Sequence, residues 1–191
     1  MKKLYCTITA LLFFYTNLFA GEVCLEARAA YYYPTDSTFR DIYDGAGLYG
    51  LELSYQCGWN LYPWASAGYF YQTGQSIPDK TDTTVYLVPL ACGLKYQWCC
   101  KCIRPYLGVG VNIPYLYTKD ESPFVVNIRN KWGVGAIFKS GFIYDFGNCF
   151  YSNIFLDYSW TKIDFNDTDI TLGTTADISG LAFGAGIGFR F

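Results

Sequence analysis

The chain has 191 residues and a formal net charge of −2, so it offers no strongly basic surface and we expect no nucleic-acid partner. Hydrophobic residues make up 52% of the chain and charged residues only 16%. Beyond the N-terminus, however, no apolar run is long enough for a membrane helix, which excludes a helical membrane bundle.

The N-terminus has the pattern of a secretory signal peptide. Two lysines precede an uncharged stretch at Leu4–Ala20, and the first acidic residue is Glu22. The stretch is about 17 residues long, which is short for a membrane helix. We therefore predict that residues 1–20 are a cleaved signal peptide and that residues 21–191 form one mature domain.

Eight segments of the mature chain alternate large apolar residues with small or polar ones, a period of two that predicts β-strands. The third segment has two faces too similar to orient, and Pro89 in the fourth removes a ladder hydrogen bond and predicts a bulge. The predicted strands are residues 22–33, 47–57, 61–73, 83–97, 103–118, 130–146, 149–163 and 178–191.

The apolar faces of these strands are predicted to point outward into lipid. In the last segment, Phe183, Ile187 and Phe189 alternate with glycines and Arg190, which a strand buried on both faces would not carry. A strand crosses a bilayer only within a closed barrel, because every backbone polar group must be paired. We therefore predict an all-β fold, an eight-stranded antiparallel transmembrane β-barrel with up-and-down meander order.

The connections between the predicted strands alternate in length. Short turns at one end and longer loops at the other are typical of outer-membrane barrels, in which the short turns are periplasmic. An even strand number returns the chain to its starting side, so both termini are predicted to be periplasmic. The short connections are residues 58–60, 98–102 and 147–148, and the longer ones are 34–46, 74–82, 119–129 and 164–177.

Charged residues on the predicted inner faces are the first candidate site. An Arg or Lys facing lipid at mid-membrane would cost about 2–4 kcal/mol, which favours inward pairing. Two interpretations stay open: a gated polar path for ions or small solutes, or a structural salt-bridge core, which the narrow lumen of an eight-stranded barrel favours. The inward residues are Glu26, Arg28, Glu52, Lys95, Lys139, Asp145, Asp157 and Arg190.

Cysteines are the second candidate site. Six of the seven in the mature chain fall near the predicted periplasmic end, whereas Cys92 lies mid-strand on the lipid face. In an oxidising envelope this clustering predicts disulfides, and an odd number leaves a thiol for another chain. The chain has no His and no second ligand pair, so we predict no metal site and no cofactor. The candidates are Cys24, Cys57, Cys99, Cys100, Cys102 and Cys149.

The absence of His also bears on catalysis. Barrel enzymes that act on lipid rely on a His together with Ser or an acid, and this chain has no such base. We therefore predict that the protein is not an enzyme.

The chain closes on Phe189-Arg190-Phe191, with Gly186 upstream. This ending resembles the C-terminal insertion signal of bacterial outer-membrane β-barrels. With the signal peptide, the eight strands and the alternating connections, the mature chain resembles the small OmpA-like and OmpW-like barrels. The resemblance implies a location in the bacterial outer membrane, contact with its lipid, and binding of the last strand by the barrel-assembly machinery.

The cysteine content resembles that of the disulfide-cross-linked outer membranes of chlamydial-type bacteria, which implies other envelope proteins as partners. The leading functional hypothesis is a structural and surface-interaction role. A first alternative is a narrow pore or uptake path for small solutes, as in OmpW-like barrels. A second alternative is a soluble, lipocalin-like ligand carrier, which requires an apolar lumen and a polar outer face.

Overall fold

The computed structural model describes residues 21–37, 40, 45–75, 82–100, 102–121, 126–147, 149–165 and 174–191. The predicted signal peptide lies outside the described residues. Within the described ranges, no helix is long and apolar enough to cross a membrane.

The fold consists of antiparallel strands throughout. Strands that are adjacent in the barrel wall follow one another in the chain, and the first strand pairs with the last, which closes the sheet into a barrel. The strands are β1 (Val23–Pro34), β2 (Ala46–Tyr55), β3 (Leu61–Gln75), β4 (Asp82–Gln97), β5 (Ile103–Glu121), β6 (Val126–Trp132), β7 (Val134–Asp145), β8 (Phe150–Phe165), β9 (Thr174–Asp177) and β10 (Gly180–Arg190).

These ten segments form eight strands of the barrel. β6 and β7 keep one register against β5, and β9 and β10 keep one register against β8, so each pair is a single interrupted strand. The first interruption faces Pro114, which has no N–H to donate, and the Gly133 N–H donates to the Pro114 carbonyl at 2.9 Å. The predicted all-β, eight-stranded antiparallel barrel with meander order is confirmed.

Pro89 interrupts the ladder between β3 and β4 without a bulge. Ala67 faces Leu90 and Phe70 faces Leu87, so the register is the same on both sides of the proline. On its other side, Pro89 lies directly opposite Pro114. The predicted bulge is therefore wrong, because the missing N–H costs ladder hydrogen bonds but inserts no extra residue.

The start of β1 and the end of β10 lie at the same end of the barrel, since Cys24 faces Arg190 across the two strands. We call this end the terminus rim and the opposite end the loop rim. The loop-rim connections are shorter than expected, because strands extend into the predicted loops: only residues 122–125 separate β5 from β6, where a loop at 119–129 was predicted. The connections are residues 56–60, 98–102 and 146–149 at the terminus rim, and 35–45, 76–81, 122–125 and 166–173 at the loop rim.

The two faces of the wall differ in chemistry as the alternation predicts. Outward side chains are mostly apolar, and Val134, Ile154 and Ile187 are about 70% exposed. The third predicted strand, which the sequence could not orient, turns Tyr62 and Trp64 inward. A barrel with such an outer surface presents apolar side chains to whatever surrounds it, which is the arrangement a bilayer requires.

The interior is layered along the barrel axis. One apolar cluster lies toward the terminus rim and contains Cys24, Tyr106, Ile143, Tyr151 and Phe155. A second cluster lies toward the loop rim and contains Tyr32, Phe70, Val85, Leu87, Leu116, Ile163, Ile178 and Ala182. Along the inner face of β1, Glu26 and Arg28 separate Cys24 from Tyr32, so a charged layer lies between the two apolar clusters.

Candidate functional site

The charged layer is a network of six side chains from five strands. We call Glu26, Arg28, Glu52, Lys95, Lys139 and Asp157 the lumen network. Glu52 is its centre: its Oε1 lies 2.8 Å from Lys95 Nζ, and its Oε2 lies 3.0 Å from Arg28 Nη1 and also accepts from Lys139. Each of these side chains is at most 9% exposed, so the charges neutralise one another inside the barrel rather than in water.

Strand register explains why these residues meet. Lys139 faces Asp157 across β7 and β8, and their Nζ and Oδ2 atoms lie 3.5 Å apart. Glu26 faces Glu52 across β1 and β2, an arrangement of like charges that is unfavourable by itself. Arg28 offsets that repulsion, because its guanidinium lies 3.3 Å from Glu26 and 3.0 Å from Glu52.

Neutral residues complete the network, and the sequence did not identify them. Asn153 Nδ2 donates to Glu26 Oε1 at 2.8 Å and to the Tyr106 hydroxyl at 3.1 Å. The Arg28 guanidinium stacks 3.6 Å from the centre of the Phe155 ring. Asn153, Tyr106 and Phe155 all lie on predicted inner faces, so the alternation of the strands placed them in the lumen. They were not predicted as site residues because only charged inner residues were assigned to the site.

The remaining two predicted inward charges lie elsewhere. Asp145 and Arg190 meet at the terminus rim, with Arg190 Nη2 2.8 Å from Asp145 Oδ1. Arg104 Nη2 lies 2.8 Å from the same oxygen, and Glu22 Oε2 lies 3.1 Å from Arg190 Nε. Arg104 was not predicted as a site residue, although it lies on the same inner face of β5 as Tyr106. The eight predicted charges therefore form two separate sites.

On the loop-rim side of the lumen network lies a cavity of about 90 Å³, which we call the lumen pocket. Its polar floor includes Arg28, Asn112, Lys139 and Asp157. Its remaining inner walls are mostly apolar and include Ala30, Tyr32, Leu48, Leu87, Pro89, Ala91, Pro114, Ile137, Ile178 and Ala182. A pocket with apolar walls and a charged floor was not predicted from the sequence.

The pocket exists because one patch of the wall has no inward side chains. Gly50 and Gly68 face each other across β2 and β3, and both line the pocket. A Cβ added to Gly50 would come within 2.7 Å of the Ala67 carbonyl oxygen, so this close backbone approach requires glycine. Tyr49 and Leu51, whose side chains lie on the outer face, also line the pocket. At this patch only backbone separates the pocket from the outer surface.

The cysteines divide by location. Five lie in the terminus-rim turns and are exposed: Cys57, Cys99, Cys100, Cys102 and Cys149. Cys92 is exposed on the outer face, whereas Cys24 is only 5% exposed inside the barrel and has no access to another chain. All seven are free thiols in this structure, so disulfides with other chains stay a prediction for the five rim cysteines. In the described part of the chain, no group of three or more Cys, Asp or Glu side chains is arranged to hold a metal ion.

The C-terminal residues of the predicted insertion signal form an aromatic cluster on the outer face of the terminus rim. The Phe189 ring lies 4.9 Å from Phe150 and 4.7 Å from Phe191, centroid to centroid. Gly186 points inward, where an added Cβ would come within 2.5 Å of Glu26 Oε1. Gly186 thus leaves room for the lumen network, while the two phenylalanines cover the outer surface beside the end of the chain.

Comparison with known proteins rests on structure. No protein-family model matches the chain, and no curated protein matches its sequence. The crystal structure of the outer-membrane protein OprG from Pseudomonas aeruginosa superimposes with a TM-score of 0.69 at 19% identity, covering 90% of this chain and 96% of that one. The chain has the fold of the small outer-membrane β-barrels.

Two further barrels show the same likeness. The solution structure of Escherichia coli outer membrane protein W gives a TM-score of 0.59 at 20% identity, covering 90% of this chain and 98% of that one. The structure of outer membrane protein AlkL in lipid bilayers gives 0.59 at 16% identity and covers 90% of each chain. The barrel fold and the apolar outer face locate the protein in a bacterial outer membrane. The alternative of a soluble, lipocalin-like carrier is wrong, because it requires a polar outer face and the outer face of this barrel is apolar.

Proposed function

We propose that this protein is a non-enzymatic outer-membrane barrel that admits small apolar solutes into the lumen pocket and does not form a continuous aqueous pore. The observation that carries the proposal is the position of the pocket. It reaches the glycine patch of the wall on one side and ends at the lumen network on the other. A solute that enters there is surrounded mostly by apolar side chains.

Energetics favour an apolar solute over an ion. Burying apolar surface stabilises a bound molecule by roughly 25 cal/mol per Å². An ion in the same place would have to displace partners in a network whose three carboxylates and three cations are already paired. The uptake path that the OmpW-like resemblance implies is therefore better supported at the wall than along the barrel axis.

The test is to fill the pocket. Ala91 lines it and is 8% exposed, whereas Ala65 is on the outer face of the neighbouring strand. We expect Ala91→Leu to reduce the entry of a labelled small hydrocarbon such as n-pentane into cells that carry the barrel. Ala65→Leu makes the same substitution on the lipid face and serves as the matched control. Equal uptake by the two variants and the unmodified protein would contradict the proposal.

A second candidate function is structural, and the rim cysteines favour it. Five exposed thiols at one end of a barrel are available to other envelope proteins if that end faces the oxidising periplasm. We expect reductant-sensitive high-mass bands on gels of envelope protein, and we expect them to disappear when the five cysteines are replaced by serine. Cys24→Ser is the control, because Cys24 is buried. Only monomer without reductant would contradict this role.

Membrane insertion belongs to the same proposal. We infer that the terminus rim is periplasmic and that the barrel-assembly machinery binds β10 through Phe189 and Phe191. Replacing Phe191 with Ser is expected to lower the amount of folded barrel in the outer membrane. Replacing Phe146 with Ser, which is also exposed near this rim, is the control. An equal loss for both variants would show that the last residue has no special role.

A further inference from the structure

Three residues that line the floor of the lumen pocket carry side-chain polar atoms that the protein itself does not satisfy. Among the described residues, Arg28 Nη2, Asn112 Oδ1 and Asp157 Oδ1 have no hydrogen-bond partner. Their side chains are at least nine-tenths buried: Asn112 is 4% exposed, Asp157 7% and the Arg28 side chain 9%. Buried polar groups are nearly always hydrogen-bonded, so unpaired ones beside a cavity indicate a partner that enters it.

These atoms include both a donor and acceptors. The Arg28 guanidinium donates, whereas the Asn112 amide oxygen and the Asp157 carboxylate accept. Asn112 Nδ2 is already used, since it donates to Thr161 Oγ1 at 3.2 Å, which holds the amide in place. A single hydroxyl or amide group both donates and accepts, so it matches this floor better than a hydrocarbon end does.

The charge balance excludes a charged group at the same place. The lumen network has three acidic and three basic side chains, so its formal charges balance. A carboxylate entering from the pocket would add a fourth buried negative charge without a free cation to pair with it. An ammonium group would add a fourth buried positive charge without a free carboxylate to pair with it.

The pocket also limits the size of the ligand. Its volume of about 90 Å³ is smaller than the roughly 150 Å³ cavity that accepts benzene in an engineered protein. A ligand of about five heavy atoms is therefore the expected size. The walls beside Ala30, Ala91 and Ala182 are apolar and face the part of the ligand away from the floor.

We propose that the lumen pocket binds small amphipathic molecules with one uncharged hydroxyl or amide group, which accepts a hydrogen bond from Arg28 and donates one to Asn112; a primary amide donates to Asp157 as well. This inference rests on the proposed function, because it names the solute class for the same pocket. It differs from that proposal in giving the charged layer a role in recognition as well as in closing the lumen.

Three probes of matched size test the inference on the unmodified protein in lipid nanodiscs. n-Pentane, 1-butanol and butyrate share an unbranched chain and differ at one end. Methyl NMR signals of Ala30, Ala91 and Ala182 report the pocket. Those of Ala27, Ala29 and Ala65, which are exposed on the outer face, report partition into lipid. We expect 1-butanol to shift the pocket alanines at a lipid-phase concentration at least tenfold lower than n-pentane, and butyrate to leave them unshifted.

A substitution of Asn112 tests whether the polar floor of the pocket selects the ligand. In Asn112→Leu the preference for 1-butanol over n-pentane is expected to fall to near unity. Asn130→Leu, the same substitution at an exposed site, is expected to keep it. Equal binding of pentane and butanol by the unmodified protein would overturn the inference but leave the proposed function intact. Tighter binding of butyrate would overturn it in favour of an anion site. Shifts at the outer alanines only would overturn both proposals.

Discussion

Glu52 and Lys139 form a buried ion pair in the middle of the barrel, although they lie 87 positions apart in the chain. Their strands, β2 and β7, are not neighbours in the sheet, so the contact spans the lumen rather than the wall. The same carboxylate also pairs with Lys95 and Arg28. One acidic side chain thus connects strands from across the barrel.

Glu52→Gln is expected to destabilise the barrel by about 3–5 kcal/mol, the usual cost of leaving buried charges without their partner. Urea unfolding in detergent micelles, followed by the heat-dependent shift in gel migration, measures the change. Glu22→Gln makes the same substitution in a pair whose acid is 47% exposed, and ~0–1 kcal/mol is expected there. Similar losses for both variants would contradict a central role for Glu52.

The unmodified barrel is expected to be silent in planar bilayers, because the lumen network and the apolar cluster toward the terminus rim fill its cross-section. Replacing Arg28 and Glu52 together with alanine removes two network side chains and keeps the remaining charges balanced. Ion-conducting steps are expected from this double variant. The neutral double variant at the terminus rim, Glu22→Ala with Arg190→Ala, is expected to stay silent. Steady conductance of the unmodified protein would refute closure of the lumen.

Gly184→Ala is expected to destabilise the fold by about 1–3 kcal/mol through overpacking. A Cβ at this position would come within 2.1 Å of the Ala29 carbonyl oxygen, and backbone cannot move aside easily. Gly68→Ala is the comparison, since its Cβ would meet side-chain atoms first, at 3.0 Å from Pro89 Cγ. The loss is expected to be smaller there, and the same unfolding assay ranks the two.

Thiol labelling gives a test of the barrel geometry itself. A charged maleimide added to outer-membrane vesicles made permeable to it is expected to modify the five exposed rim cysteines of the reduced native protein. Cys24 is expected to react only after unfolding because the barrel encloses it, and Cys92 because lipid covers it. Mass spectrometry of the intact chain counts the labels. Modification of Cys24 in the native barrel would show that the lumen is open to solutes from the terminus rim.

The strand pattern predicted much of this structure, because a period of two assigns each residue to one face of the wall. It could not orient β3, since Tyr62 and Trp64 inside resemble Tyr69 and Tyr71 outside in residue type. Only the neighbouring strands decide which set packs against the interior. Loop lengths were overestimated for a similar reason: polar residues at strand ends are paired across the ladder although their pattern resembles a loop.

The candidate site was predictable in composition but not in arrangement. The alternation of inward and outward residues placed the eight charged side chains in the lumen. It did not show that Asp145 and Arg190 form a pair separate from the other six. The lumen pocket depends on the register between neighbouring strands, which places Gly50 opposite Gly68 and Pro89 opposite Pro114. Register is set when the strands pair in the closed barrel, so it cannot be predicted from any single segment of the chain.

The facing prolines have a mechanical consequence. At Pro89 and Pro114 two adjacent strands lack amide donors at the same height, yet strand alignment continues unchanged above and below. Each proline therefore removes one backbone hydrogen bond from this part of the cylinder. We expect the wall to open here more readily than where both strands donate, and Pro89 and Pro114 line the pocket that a solute would have to enter.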